Sequence, residues 1–355
     1  MEIARPARQR QAGLEVIRSA ALALLALLSA QGAADAACKL QNVAALEASG
    51  GPDGLLLVPV AAGGQKLAML LDTGAERGVI DVSVMQTQKL TPMKIATPPP
   101  IFNVPGAPFL SMVQFNAPDF YLADGTQLDH FVKLPMLAIG ASHFENMPFL
   151  LARFDDSHAL GMKGILGSNV LRNFDVEVDP AAAKVNLFSP DHCEGKVVYW
   201  APTFADLPIQ VRTNGAIELA MTLDGHDVTA LLDTGAAHST ITVEMARRIF
   251  DFDPRAPAVE RISGDGNDTT YRMRFTSLVS GDLAIKNPRI TIVPDPVARK
   301  RLAQAMDSGY SGALDFRNAR LVLGMDILRQ LHFYIAYREQ KLYFTAATPV
   351  ATPAP

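Results

Sequence analysis

The six residues LLDTGA stand at Leu70–Ala75 and return, letter for letter, at Leu231–Ala236. One Asp-Thr-Gly is a weak signal, because Asp, Thr and Gly are common in turns. Two copies with matched surroundings are a strong one, the mark of an internal repeat. Ahead of the first copy lies LLLVPVAAGGQKLAM, ahead of the second IELAMTLDGHDVTA. Both read as two apolar strands joined by a tight turn, at Gly63-Gly64 and at Asp224-Gly225. After each copy comes a short apolar segment and a helix-like stretch, VIDVSVMQTQKL and TITVEMARRIF.

A second matched pair follows: ILGSNVLRNFDVEVD from Ile165 and VLGMDILRQLHFYIA from Val322. Gly167 aligns with Gly324, Leu171 with Leu328 and Arg172 with Arg329. Each reads as strand, Gly, short helix and strand, closed by a further strand, KVNLF or KLYF. Between the landmarks each half carries a hairpin candidate with Asp-Gly at its tip, Asp124-Gly125 and Asp265-Gly266. The halves differ by inserts at 97–118 and 294–319, the latter with a predicted helix around Arg299-Lys300-Arg301. Each half therefore predicts one lobe, at 38–190 and 207–346. A Pro-containing linker at 191–206 joins them, and an Ala/Pro/Thr tail follows at 347–355.

The 355 residues allow two domains with real cores. A net charge of −4 gives no basic field for nucleic acid. Arg5, Arg8, Arg10 and Arg18 precede the apolar stretch Ser19–Ala30 and the small residues QGAADAAC. That order describes a signal peptide over 1–37. An uncleaved anchor or a lipoprotein acylated at Cys38 are the alternatives. The expectation is an exported protein, periplasmic or secreted, membrane-bound only if the segment stays as an anchor. Cys38 and Cys193 are the two cysteines, and export predicts a disulfide between them, with two buried thiols as the alternative. No metal motif is present, and no cofactor is expected.

The repeat has a chemical sense. Two carboxyls held face to face cannot both ionise, so they share a proton. One can then act as general base on a water while the other donates to the carbonyl oxygen. Such a site needs two equivalent loops. Gly lets each loop turn tightly. The Thr hydroxyl can bond the opposing loop, and a Gly in the later segment lets a strand pass close behind.

These residues resemble the retropepsin-like aspartic proteases, more narrowly the exported bacterial aspartyl proteases that carry two lobes in one chain. The likeness runs from about Leu55 to Phe344. It implies a mostly β fold: two acid-protease β-barrel lobes in pseudo-two-fold arrangement, with short helices. It implies Asp72 and Asp233 as the catalytic pair, supported by Thr73, Gly74, Thr234 and Gly235. The hairpins at Asp124, Gly125, Asp265 and Gly266 would be flaps over a polypeptide substrate, and a monomer is expected. Glu76-Arg77 follows one copy and Ala237-His238 the other; His238 is expected to take no part. Pepsin-like enzymes often place a hydroxyl residue after Asp-Thr-Gly, where Ala75 and Ala236 stand here, so a pH optimum milder than pepsin's is expected. The competing function is a module that binds a peptide or envelope component without turnover.

Overall fold

The computed structural model describes residues 39–95, 120–122, 126–154, 161–294 and 320–348. The N-terminal segment with Cys38, the tips Asp124 and Gly125, nearly all of both inserts and the end of the tail lie outside the described residues.

The chain is mostly β. In lobe one, strands Leu56–Ala62 and Gln65–Leu71 pair through the predicted turn, and Gly63 and Gly64 both hold positive φ. Positive φ at both central residues gives the turn the twist a two-residue hairpin needs. Lobe two repeats this with Ile217–Leu223, Asp224-Gly225 and His226–Leu232. Six lobe-one strands close a ring: Leu56–Ala62, Gln65–Leu71, Met162–Leu166, Val79–Asp81, Ser142–Ala152 and His130–Ile139, which returns to pair with the first. Lobe two closes its ring through residues 270–280, which run as two strands. Thr270–Arg274 pairs with Arg289–Val293, and Ser277–Ser280 pairs with Ile217–Leu223. The expected β-barrel lobes are therefore present, each filled by inward side chains at alternate strand positions. Val58, Met69, Ile80 and Phe149 fill the first, and Leu219, Ala230, Ile292 and Leu323 the second.

The short helices fall where the pattern places them. Helix Val82–Thr87 starts at Asp81, whose carboxylate accepts from the Ser83 N–H at 2.8 Å. Helix Val243–Phe250 starts at Thr242, whose hydroxyl accepts from the Met245 N–H at 3.1 Å. Each cap satisfies a donor the first helical turn leaves open.

The lobes meet in a shared six-stranded antiparallel sheet. Asn42–Glu47, Lys184–Phe188 and Asp175–Asp179 come from lobe one. Leu331–Ala336, Lys341–Ala346 and Ala205–Pro208 complete it. At its centre Glu177 lies opposite Tyr334, where strands from the two lobes run side by side. Among the described residues no helix is long and apolar enough to cross a membrane.

Candidate active site

Each LLDTGA ends a strand and begins a loop. In lobe one, Met162–Leu166 runs parallel to Gln65–Leu71 and antiparallel to Val79–Asp81. The chain thus leaves one side of that strand at Leu71 and returns on its other side at Val79. The Asp72 N–H donates to Leu166 O at 3.2 Å, and the Asp233 N–H to Leu323 O at 3.0 Å. Behind each loop the chain crosses at a glycine. A Cβ at Gly167 would lie 2.7 Å from the Arg77 carbonyl carbon, and one at Gly324 2.6 Å from that of His238. Carbon atoms cannot approach that closely, so only glycine fits at this crossing.

A further buttress recurs in both lobes. The Asn169 side-chain oxygen accepts from the Gly78 N–H at 2.7 Å. At the equivalent place Asp326 accepts from the Ser239 N–H at 2.8 Å and its hydroxyl at 2.6 Å. Both residues sit two positions after the crossing glycine and pin the far end of the loop.

The two loops lock to each other through the buried threonines. The Thr73 hydroxyl donates to Leu232 O at 2.8 Å and accepts from the Thr234 N–H at 3.1 Å. The Thr234 hydroxyl donates to Leu71 O at 2.7 Å and accepts from the Thr73 N–H at 3.1 Å. All four backbone groups are satisfied by the opposite lobe, so neither loop is complete alone.

The lock brings the Asp72 and Asp233 carboxyls into hydrogen-bonding contact with one another. Asp72 Oδ1 accepts from the N–H groups of Gly74 at 2.9 Å and Ala75 at 2.7 Å. Asp233 Oδ1 accepts from Gly235 at 2.8 Å and Ala236 at 3.1 Å. A side chain on Gly74 would collide with the Asp233 carboxyl, and one on Gly235 with that of Asp72. Burial first, then the neighbouring Asp233 charge, holds the Asp72 pKa well above the usual carboxylate range. Burial also raises Asp233, although the loop N–H groups and the hydrogen bond to Asp72 pull it down. The pair therefore holds one proton to a higher pH than an isolated carboxyl would. Ala75 and Ala236 supply backbone donors but no hydroxyl.

Both carboxyls stand at the floor of an open cleft of about 700 Å³. Its lobe-one wall is apolar: Leu70, Val79, Leu150 and Ile165 on the sheet, with Phe120 and Leu128 over them. Glu76 and Arg77 stand on its lip. From lobe two come Asp233, Gly235 and Asn214. Asn214 sits just before Gly215, which takes a φ of +89° and whose carbonyl accepts from the Ser168 hydroxyl of lobe one at 3.0 Å.

Asp124 and Gly125 are themselves outside the described residues. Their flanks pair as a hairpin, Phe120 opposite Leu128 and Tyr121 opposite Gln127, and these flanks line the cleft. The other tip, Asp265 and Gly266, is exposed at the head of the hairpin Val259–Ser263 with Thr270–Arg274. No residue of that hairpin is among those lining the cleft. His238 is exposed and does not line it either. Among the described residues no group of three or more His, Cys, Asp or Glu side chains is placed to hold a metal ion.

The sequence reading missed a buried cluster of histidine and carboxyl side chains on the shared sheet. His192, which reads only as a neighbour of Cys193, contacts Asp175 of lobe one through Nε2. Its Nδ1 lies 3.3 Å from Glu339 of lobe two. Burial raises the Asp175 pKa in spite of His192 and the Tyr337 N–H. Beside it, His332 Nε2 lies 2.7 Å from Glu177 and stacks on Trp200. Among the described residues no cysteine is free.

Residues 219–327 match the aspartyl protease family, a span inside lobe two that contains Asp233 and Gly324. No curated protein matches the chain. Among solved structures, the chain is similar to a retropepsin-like aspartic protease from Rickettsia conorii. The identity is 18% and the TM-score 0.27, over 42% of this chain and 95% of that one. It is also similar to basic 7S globulin from soybean, at 10% identity and a TM-score of 0.44, over 88% of this chain and 96% of that one.

Proposed function

We propose that the protein is an exported aspartic endopeptidase that cuts peptide bonds with a water activated between Asp72 and Asp233. The observation that carries this reading is the contact between two carboxyls from two equivalent loops at the floor of an open cleft. With one proton between them, the ionised member takes a proton from water. The protonated member donates to the carbonyl oxygen, and the pair then returns a proton to the leaving amine. The loop N–H groups hold each Oδ1 in place, leaving the outward oxygens for water and substrate. Two facing acids in a partly desolvated site are costly to keep. A peptide-binding module without turnover has no need of them, which favours the peptidase.

Incubation with a diverse peptide library, with cuts mapped by mass spectrometry, tests the activity. Asp72→Asn and Asp233→Asn are each expected to abolish cleavage while the protein stays folded. Near-full activity in either variant would defeat the intramolecular pair. Because burial raises both pKa values and the neighbouring Asp233 raises Asp72 further, kcat/KM against pH should be bell-shaped, with its maximum in the weakly acidic to near-neutral range. A maximum below about pH 3 would contradict this.

Export rests on the basic, apolar and small-residue order of residues 1–37. Within that reading we propose a Cys38–Cys193 disulfide tying the mature N-terminus to the linker. In the chain-entropy model a loop of roughly 150 residues stabilises by about 4–5 kcal/mol. A non-reducing peptide map is expected to show the bridged pair; two free thiols or an acylated Cys38 would reject it.

A further inference from the structure

The cleft that holds the two carboxyls takes Asn214, Asp233 and Gly235 from lobe two. Asp233 belongs to the catalytic pair and Gly235 has no side chain. Among the described residues, Asn214 is therefore the other side chain that lobe two gives to the cleft. It stands at the tip of a tight connection between Gln210–Val211 and Ile217–Leu223. The Arg212 N–H donates to Ala216 O at 2.8 Å, and the Gly215 N–H to Arg212 O at 2.8 Å.

The tip is fastened to the catalytic loop of the opposite lobe. The Ser168 N–H donates to Ala75 O at 2.8 Å, and the Ser168 hydroxyl donates to Gly215 O. Ser168 thus ties the neighbour of Asn214 to the third residue after Asp72. A Cβ on Gly215 would lie 2.5 Å from that of Ser168, so any larger residue would push the tip off the loop. Lobe one has no copy of this arrangement. Met325 stands where the repeat aligns with Ser168, Gly54 meets the Arg329 side chain instead, and Asp53 is not among the residues lining the cleft.

The orientation of the Asn214 amide follows from one bond. Its Oδ1 accepts from the Ala216 N–H at 3.1 Å, a role only the oxygen can fill. Among the described residues Nδ2 has no partner, so two N–H donors are left over. A peptide that fills the cleft takes these donors out of water, and a covered donor without an acceptor is costly. Side chains that suit the lobe-one wall of Leu70, Val79, Leu150 and Ile165 are apolar and bring no acceptor. A main-chain carbonyl comes with every residue.

We propose that Asn214 binds the substrate main chain, with Nδ2 donating to one carbonyl near the scissile bond. The inference rests on the peptidase reading, which puts an extended peptide in this cleft. The contact is neutral and independent of the substrate's side chains. It has no counterpart in lobe one, so it holds one arm of the peptide only.

The test is a carbonyl scan. Peptides with an apolar cleavage site carry a single thioamide at each of the three bonds on either side of the scissile one, about 10 Å of extended chain each way. Exchanging oxygen for sulfur weakens one acceptor and keeps its N–H. Cleavage is measured with wild type, Asn214→Ala and Asn214→Asp. The Asp variant keeps an oxygen for the Ala216 N–H and lacks the donors, so it decides the matter should the Ala variant fail to fold. Binding of the same peptides to Asp72→Asn, with and without the change at Asn214, is measured by calorimetry. Both variants are expected to raise KM for the parent peptide about tenfold with kcat little changed. One thioamide position should weaken wild type about fivefold and the variants by less than about twofold. If every position affects wild type and variants by the same ratio, the proposal is overturned, whatever happens to KM, and the peptidase reading stands if the peptides are cut. A position-specific loss in binding with no peptide cut would sink the peptidase reading and leave the Asn214 contact standing. Peptides neither cut nor bound would reject both.

Discussion

The Asp72 and Asp233 carboxyls destabilise the fold at neutral pH. A carboxyl whose pKa is raised on folding binds its proton more tightly in the native state than in the unfolded chain. Its contribution to stability is present below the unfolded value of 3.8 and is lost as pH rises through the folded value. Asp72→Asn removes that penalty and keeps an oxygen for the Gly74 and Ala75 N–H groups. The variant is expected to be inactive yet more stable at pH 7 by on the order of 1 kcal/mol or more, with the difference vanishing near pH 3. Thermal melts across pH decide this; a variant less stable at every pH would show that the pair is not strained. The alanines that follow the motif allow a second test. Ala75→Ser adds a hydroxyl donor beside the ionised pair, and a hydrogen bond to a charged group is worth enough to lower the acidic limb of the pH profile by about one unit. An unmoved limb would mean that the new hydroxyl points elsewhere.

Single elements carry the lock between the loops. Thr73→Ala would strip the partner from Leu232 O and from the Thr234 N–H, both buried. The expected cost is about 2–4 kcal/mol, together with a loss in kcat. Thr73→Ser keeps the hydroxyl and should retain most of both. If Ala and Ser behaved alike in denaturant titrations, the hydroxyl would not be the lock. This layer was legible in the sequence because it is local: strand, turn, Asp-Thr-Gly, and later an apolar pair with glycine. Gly167 and Gly324 could be paired by eye, and each meets the backbone it was expected to meet. Which residues share a sheet row depends on register between strands far apart in the chain. The apolar cleft wall of Leu70, Val79, Leu150 and Ile165 therefore stayed hidden. Asn214 at the cleft floor carries no local signal either.

At the scale of the molecule the lobes are joined by a sheet that neither completes alone. His192 lies between Asp175 of one lobe and Glu339 of the other with almost no solvent. Its partners are far away in sequence, so a His beside a Cys looked unremarkable. His192→Ala removes the shared partner of two buried carboxyls, Asp175 and Glu339, and the expected loss is about 3–5 kcal/mol. His332→Ala, at a more exposed bridge, should cost less. A smaller loss for His192 than for His332 in urea titrations would place the main tie elsewhere.

The unequal lining of the cleft by the two lobes bears on the polarity of a substrate. A site assembled from two identical lobes presents the same wall to both arms. A peptide lying N-to-C across it and the same peptide reversed meet one set of side chains, so the site cannot tell the two orientations apart. Placing both lobes in one chain removes that degeneracy. Leu70, Val79, Leu150 and Ile165 line the cleft from lobe one, and Asn214, Asp233 and Gly235 line it from lobe two. This makes the two orientations chemically different, while the threonine lock at the axis stays symmetric. The molecule keeps two-fold symmetry where the pair of carboxyls requires it and drops it where a peptide has a direction to be read.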